Sequence, residues 1–172
     1  EFCCSENSSL CDVKFGTSHG KKVALIRLTE KHDMGTEAGM AYALRVIDYF
    51  KSLPILLWGS QPCTAGCPWQ YVNKYKSRNH AARMSFMMRQ FRRLHRSFMT
   101  LSNEVRVQGG KVAFEWPKDN ALWKQDCIKK MIKEFGMKRA VFHGCMVGLV
   151  STKGIPIRKP WAIETDLSTL YD

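Results

Sequence analysis

Apolar residues along this chain fall in turn into short runs and into helical spacing, and a polar turn closes most segments. Phe2-Cys3-Cys4 is apolar and runs into Ser5-Glu6-Asn7-Ser8-Ser9, which predicts a strand, a polar turn and then a short helix. Residues 23–28, Val-Ala-Leu-Ile-Arg-Leu, predict a buried strand that ends in Thr29-Glu30-Lys31-His32-Asp33. Residues 36–50 then carry Met40, Leu44 and Ile47, with Tyr42, Val46 and Phe50, at the three-and-four spacing of a helix. After Pro54, Ile55-Leu56-Leu57-Trp58 predicts a third strand, broken at Gly59-Ser60-Gln61-Pro62. Cys63 is thereby placed just past the carboxyl end of a strand.

Residues 66–77, with Pro68 and many polar side chains, read as a loop. Met84, Met87, Phe91, Leu94, Phe98, Leu101 and Val105 predict a long amphipathic helix, on which Arg89, Arg92, Arg93 and Arg96 form a second, offset stripe. Gly109-Gly110 ends it. Val112-Ala113-Phe114 is a strand terminated by Glu115-Trp116-Pro117, residues 122–135 are a helix stopped at Gly136, and residues 139–142 are another strand. Residues 146–163 form a closing β-hairpin turning at Lys153-Gly154, and residues 164–172 are a tail or short helix. This alternation predicts an α/β protein, a Rossmann-like doubly wound and mostly parallel sheet in a single compact domain over residues 1–172 with a C-terminal β-hairpin. In such a sheet ligands bind outside the carboxyl ends of the strands, so the polar turns there are where chemistry is expected.

Composition narrows the setting. With 172 residues and 45% hydrophobic content the chain can bury one core without staples. It has no run of eighteen apolar residues and its first residues lack the layout of a secretory signal, so a soluble, non-secreted protein with no membrane partner is expected. Cysteines 3, 4, 11, 63, 67, 127 and 145 are odd in number and irregular in spacing, which predicts reduced thiols in an intracellular compartment.

The charge of +12 is unevenly distributed. No Asp or Glu occurs from residue 49 to residue 103, where Lys51, Lys74, Lys76, Arg78, Arg83, Arg89, Arg92, Arg93 and Arg96 all fall. A field of one sign attracts a polyanion, and nucleic acid is the expected partner, with a solvated basic face as the plain alternative. Lys74, Lys76, Arg78, Arg89, Arg92, Arg93 and Arg96 are the candidate phosphate contacts.

Four strand-end turns stand out: Cys4-Ser5-Glu6-Asn7, Thr29 to Asp33, Ser60-Gln61-Pro62-Cys63-Thr64 and Glu115-Trp116-Pro117. In this order they resemble the cytosine-5 methyltransferases, in particular the minimal forms of phages and mobile elements, whose shared features are a first-strand loop, a Pro-Cys turn and a later strand-end Glu. The resemblance spans nearly the whole chain on short motifs. It implies that Cys63, after Pro62, is the nucleophile and that Glu115 is its acid partner. The chemistry suits the pair: C5 of cytosine is a poor nucleophile, so a thiolate must add at C6, and a carboxyl of raised pKa assists at N3 and the exocyclic amine.

The resemblance also implies S-adenosylmethionine as cofactor, held by Cys4, Ser5, Glu6 and Asn7 of the first turn, by Glu30 or Asp33 accepting from ribose hydroxyls or the adenine amine, and by Ser60 and Pro62. The family's first loop carries glycines where this chain has Cys4-Ser5-Glu6-Asn7-Ser8, and one strand fewer precedes the Pro-Cys strand than is usual. The segment 154–161 resembles the basic closing segment of the minimal enzymes, giving Arg158 and Lys159 as contacts to phosphate or base, although the Gln-Arg-Arg motif of larger relatives is absent. No target-recognition domain fits after Glu115, so sequence specificity is weak or comes from a further domain or protein. DNA ranks ahead of RNA as substrate, in a nuclear or host-cell nucleic-acid compartment, the base being flipped out or single-stranded with Trp69, Trp116 or Trp161 to stack on it and core packing the role of at least one of them. Three rival readings stand beside this one. They are a catalytically decayed methyltransferase fold acting as a basic nucleic-acid-binding module, a zinc-dependent deaminase built on Cys63-Thr64-Ala65-Gly66-Cys67, and a structural zinc site.

Overall fold

The computed structural model describes residues 1–6 and 23–171. Its main elements are α1 (Glu37–Tyr49), β1 (Leu56–Gly59), α2 (Trp69–Lys76), α3 (His80–Val107), β2 (Lys111–Pro117), α4 (Asp126–Phe135), β3 (Lys138–His143) and β4 (Pro160–Thr165). They form an α/β architecture of four helices and one mixed four-stranded sheet in the order β1-β2-β4-β3. β1 pairs β2 in parallel, from Leu56 opposite Lys111 to Gly59 opposite Phe114, and β4 runs antiparallel to both β2 and β3. Among the described strands β1 and β2 form the one parallel ladder, where the alternation of strands and helices predicts a mostly parallel sheet. The reason lies in the last connection: a parallel return needs a crossover, usually a helix. Residues 144–159 instead form a 3-10 turn and a tight turn closed by Ser151 N–H donating to the Ile155 carbonyl at 2.8 Å.

Phe2 extends the pairing at the β1 edge, with single parallel bridges to Leu28 on one side and to Gly59 on the other. Its N–H donates to the Trp58 carbonyl at 2.7 Å and its carbonyl accepts from Ser60 N–H at 3.0 Å, while Cys3 N–H reaches the Leu28 carbonyl at 2.9 Å. The chain therefore crosses from Phe2 to Leu28 on one side, then returns through α1 to β1 on the other. Of the strand expected over residues 23–28, Leu28 is paired and buried, whereas Val23 and Leu25 are exposed, with no core face to hold them in a ladder.

The helices follow their apolar spacing. Thr36 caps α1 by accepting from Gly39 N–H at 3.2 Å, and Gly136 ends α4 in the left-handed region at φ 63°, which favours glycine. α3 buries Phe91, Phe98, Leu101 and Val105. The core is an aromatic column: Phe2 to Phe98 at 5.3 Å between ring centroids, Phe98 to Phe114 at 5.1 Å, Phe114 to Trp116 at 4.5 Å and Trp116 to Trp123 at 5.0 Å. Edge-on and tilted aromatic pairs of this kind add to the burial of their area. Gly59 lets this column close around the end of β1, since a Cβ there would lie 2.6 Å from the Phe98 ring and 2.7 Å from the Phe114 ring.

Several expectations are corrected. Residues 66–77 are not a loop throughout: α2 spans Trp69–Lys76, and Pro68, in the helical region at φ −54°, starts it because its missing N–H costs nothing there. β2 does not stop before Glu115 but continues to Pro117, because β4 offers Ile163, Ala162 and Trp161 as partners for Glu115, Trp116 and Pro117. The helix expected over residues 122–135 is divided at the extended Gln125 into a 3-10 turn, Ala121–Lys124, and α4. The closing pair of strands is β3 with β4, which takes in Glu164 and Thr165 from the expected tail; buried Glu164 accepts from the Arg139 guanidinium.

Candidate active site

Where the chain reverses its direction of crossing at Phe2, a cavity of about 610 Å³ opens. Its lining includes Cys4, Ser5, Glu6, Glu30, Asp33 and Pro62, drawn from three separate stretches of sequence, together with Arg93 from α3. Six of the predicted cofactor residues therefore meet at one place. Asn7 lies outside the described residues. Ser60 is not part of this lining and turns to Glu115 instead.

The two candidate ribose acceptors differ in what already holds them. Asp33 Oδ1 accepts from Arg93 Nη2 and from Gly35 N–H, both at 3.1 Å. Among the described residues, the Glu30 carboxylate has no hydrogen-bond or ion-pair partner and is exposed toward the cavity. Glu6 is paired with Lys31, which lowers the pKa of its carboxyl.

Beyond Pro62 at the cavity lining, Cys63 is held by its backbone. The turn is pinned three times: Trp116 Nε1 donates to the Gln61 carbonyl at 2.7 Å, Gln61 Nε2 donates to the Leu94 carbonyl at 3.3 Å, and Asn120 Nδ2 donates to the Cys63 carbonyl at 2.8 Å. Gly66 makes room for the last of these, since a Cβ there would overlap Asn120 Oδ1. The Cys63 side chain is half-buried against the core, and burial pushes its thiol pKa up, opposed by backbone hydrogen bonding at Cys63 and by the Lys159 ammonium. Cys3 is pushed up further, to about 12, chiefly by burial, so it is a thiol and not a thiolate at neutral pH.

Glu115 sits on β2, next to the strand that carries the Cys63 turn. Ser60 Oγ donates to Glu115 Oε1 at 2.9 Å. Burial raises the Glu115 pKa, and this outweighs the Ser60 hydroxyl, the Trp58 indole N–H and the Lys159 ammonium, all of which favour the carboxylate. Lys159 thus acts on the thiol and the carboxyl together, while its ammonium stands 4.3 Å over the Trp161 ring. Cys63, Glu115 and Lys159 do not line the cavity; beyond Pro62 the neighbouring strand ends carry a thiol, a carboxyl whose pKa burial raises and a cation that favours charge on both.

Comparison of the chain with models of protein families, with curated proteins and with solved structures gives no match.

The predicted basic residues divide between surfaces. Lys74 and Lys76 lie on exposed α2, Arg78 follows it, and Arg89, Arg92 and Arg96 are on the solvent side of α3. Arg93 leaves that stripe to pair with Asp33 in the cavity. Arg158 and Lys159 immediately precede β4 and are exposed. Among the described residues, none of Lys74, Lys76, Arg78, Arg89, Arg92, Arg96 and Arg158 has a carboxylate partner within ion-pair distance. No three His, Cys, Asp or Glu side chains among the described residues cluster as metal ligands, and the six described cysteines are free thiols. No described helix is long and apolar enough to cross a membrane.

Trp116, expected as a candidate to stack on the base, is instead fully buried in the core, and sequence reasoning missed it, with Gln61 and Asn120, as a residue that positions Cys63. A Gln next to Pro62 and an Asn closing the Lys118-Asp119-Asn120 turn were the available signals, but their partners lie 33 and 57 residues away along the chain.

Proposed function

We propose that the chain is an S-adenosylmethionine-dependent methyltransferase acting on C5 of cytosine in nucleic acid. The observation that carries the reading is the cavity at the crossing reversal, which meets the Pro62-Cys63 turn while Glu115 stands on the neighbouring strand. Ligands of doubly wound sheets bind at such a reversal. The bridges of Phe2 to Leu28 and Gly59 support reading the sheet as the remainder of one. A cavity of about 610 Å³ is within the range of small-molecule and cofactor sites, and its acids and hydroxyl suit a nucleoside. Ser5 and the Cys4 backbone would lie along the methionine part, and Glu30, with both oxygens available, would take the ribose hydroxyls.

When bound, S-adenosylmethionine supplies an electrophilic methyl group. Cys63 as thiolate forms a bond to C6 of cytosine, the C5–C6 π bond breaks, and its electron pair moves to C5. Glu115, biased toward the protonated form, donates to N3 and withdraws electron density from the ring. With C5 methylated, a solvent water takes the C5 proton, the C5–H electron pair restores the C5–C6 double bond, Cys63 leaves as thiolate and the N3 proton returns to Glu115. Lys159 favours the thiolate both before addition and after expulsion.

Covalent trapping tests this reading. An oligonucleotide containing 5-fluorocytosine, incubated with the protein and S-adenosylmethionine, should give an adduct stable to denaturation that Cys63→Ser abolishes. Absence of any adduct at saturating cofactor, with the nucleic acid bound, would overturn it. One observation favours the second reading, a decayed fold that binds nucleic acid without chemistry: burial raises the Cys63 thiol, away from its reactive form. Binding of nucleic acid without adduct selects that reading.

A further inference from the structure

α2 is an eight-residue helix with no buried residue, yet it carries three large aromatic side chains. Trp69, Tyr71 and Tyr75 are 69%, 72% and 86% exposed, and Val72 between them is exposed as well. Exposed aromatics gathered on one short element mark a surface that binds something. Among the described residues, none of the three rings takes part in a ring–ring or cation–ring contact, so their faces are available. Tyr71 and Tyr75 stand one helical turn apart, and Trp69, Val72 and Tyr75 follow at three-residue steps, so the side chains form neighbouring rows on the surface.

The surroundings say what that surface fits. Lys74 and Lys76 lie on the same helix and Arg78 just beyond it, all exposed and without carboxylate partners among the described residues. No acid occurs from residue 49 to residue 103. An acidic peptide would satisfy the cations but offers no flat faces for three rings. A duplex offers phosphates but hides its base faces in the stack. Unpaired nucleotides present both, a π face for each ring and a phosphate for each cation. A second cavity, of about 220 Å³, opens beside Tyr71 and Lys74 against His80 and Met84 of α3. α2 is also fixed to the Cys63 turn, because Gln70 Nε2 in its first turn donates to the Thr64 carbonyl at 3.0 Å.

We propose that α2 is a stacking platform for single-stranded nucleic acid, with Trp69, Tyr71 and Tyr75 receiving unpaired bases and Lys74, Lys76 and Arg78 receiving their phosphates. Its position leads a strand lying on α2 toward the Cys63 turn, but the platform does not depend on methyl transfer.

The test is fluorescence anisotropy on the full chain, without S-adenosylmethionine and repeated in Cys63→Ser so that no covalent chemistry contributes. The probes are labelled twelve-nucleotide oligothymidine, the matching oligouridine and a twelve-base-pair duplex. Single strands should bind roughly tenfold or more tightly than the duplex, and the ratio of the two single strands tells DNA from RNA as the source of the unpaired bases. The double variant Trp69→Ala with Tyr75→Ala should weaken single-strand binding by roughly thirtyfold or more and leave the salt dependence unchanged. Trp69→Phe, which keeps a ring face, should retain most of the affinity. Lys74→Gln with Lys76→Gln should reduce the slope of log affinity against log salt by about 1.4 while keeping the preference for single strands. Equal affinity for single strand and duplex would overturn the proposal, as would an aromatic double variant that stays folded by circular dichroism and binds like the parent. Because Cys63→Ser carries no adduct chemistry, failure of the platform and failure of the methyl-transfer reading are read separately.

Discussion

The side-chain amide of Asn120 donates to the carbonyl oxygen of Cys63 at 2.8 Å, while its own carbonyl oxygen accepts from Leu122 N–H at 2.9 Å. One buried side chain thus ties the thiol-bearing turn to the loop that follows β2 and caps the 3-10 turn beyond it. Asn120→Ala leaves both partners unmatched, and a loss of about 1–3 kcal/mol of stability is expected, read as a lowered midpoint in thermal or urea unfolding. Asn120→Asp keeps the acceptor for Leu122 but removes the donor to Cys63. It should lower adduct formation by Cys63 more than it lowers stability, and a variant that traps substrate as well as the parent would show that this tie does not position the thiol.

Glu115 makes a pH-dependent contribution with a definite sign. Its pKa in the folded protein is raised above the ordinary value of 4.5, mainly by burial, so the folded state holds a proton that the unfolded state releases more readily. The stability this confers is complete below about 4.5 and is lost as pH rises through the raised folded value. Glu115→Gln removes the dependence. Relative to this variant, the parent should lose stability as pH rises from 4 toward neutrality, followed by urea unfolding at each pH. The same substitution should cut methyl transfer by roughly 10²- to 10⁴-fold, the usual contribution of a positioned acid.

Lys159 is the cation that opposes the effect of burial on Cys63. In Lys159→Gln the Cys63 thiol should titrate at higher pH, shifting the profile of alkylation rate against pH upward. Cys3, already at about 12, should stay unreactive in both proteins across the neutral range. An alkylation profile of Cys63 that does not move in Lys159→Gln would remove the lysine from any account of thiol activation.

The two candidate ribose acceptors in the cavity, Glu30 and Asp33, should respond unequally. Asp33 Oδ1 is already engaged by Arg93 and Gly35, whereas the Glu30 carboxylate has no such partner among the described residues. Glu30→Gln is expected to weaken S-adenosylmethionine binding by roughly tenfold, the value of a hydrogen bond to a charged acceptor, and Asp33→Asn by less. Calorimetry on both variants decides it, with the reverse ranking assigning the ribose to Asp33.

Gly59 marks a close approach between β1 and α3. A methyl group there meets the Phe98 and Phe114 rings, both fully buried and unable to retreat, so Gly59→Ala should cost about 1–3 kcal/mol by overpacking. Chemical denaturation measures this directly.

Elements with an uninterrupted period were legible in the chain alone. α1, α3, β1 and β3 fall where Met40 to Ile47, Phe91 to Val105, Leu56 to Trp58 and Arg139 to Phe142 place them. α2 was not, because its apolar positions, Trp69, Tyr71, Val72 and Tyr75, all face solvent in a short polar stretch, and a proline at its start reads as a break when seen without its φ angle. β4 was displaced because its limits are set by the strands on either side of it and not by its own residues. At the candidate site, the cavity residues could be nominated from strand-end turns. The hydrogen bonds of Gln61 and Asn120 could not, since a partner 33 or 57 residues distant leaves no local pattern.

Phe2 is fully buried, yet it joins each of its neighbours through a single-residue bridge. The edge beside the larger cavity is therefore secured more by the packing of one aromatic side chain than by a backbone ladder. Local opening of such an edge costs less than global unfolding. A ligand that touches Cys4, Ser5 and Glu30 at once would bridge the two sides of that edge, so occupancy and edge closure become one equilibrium. Amide exchange at Cys3 and Ser60, whose N–H groups close the two bridges, should then slow in proportion to ligand saturation, while exchange in the β2–β4 ladder is unchanged.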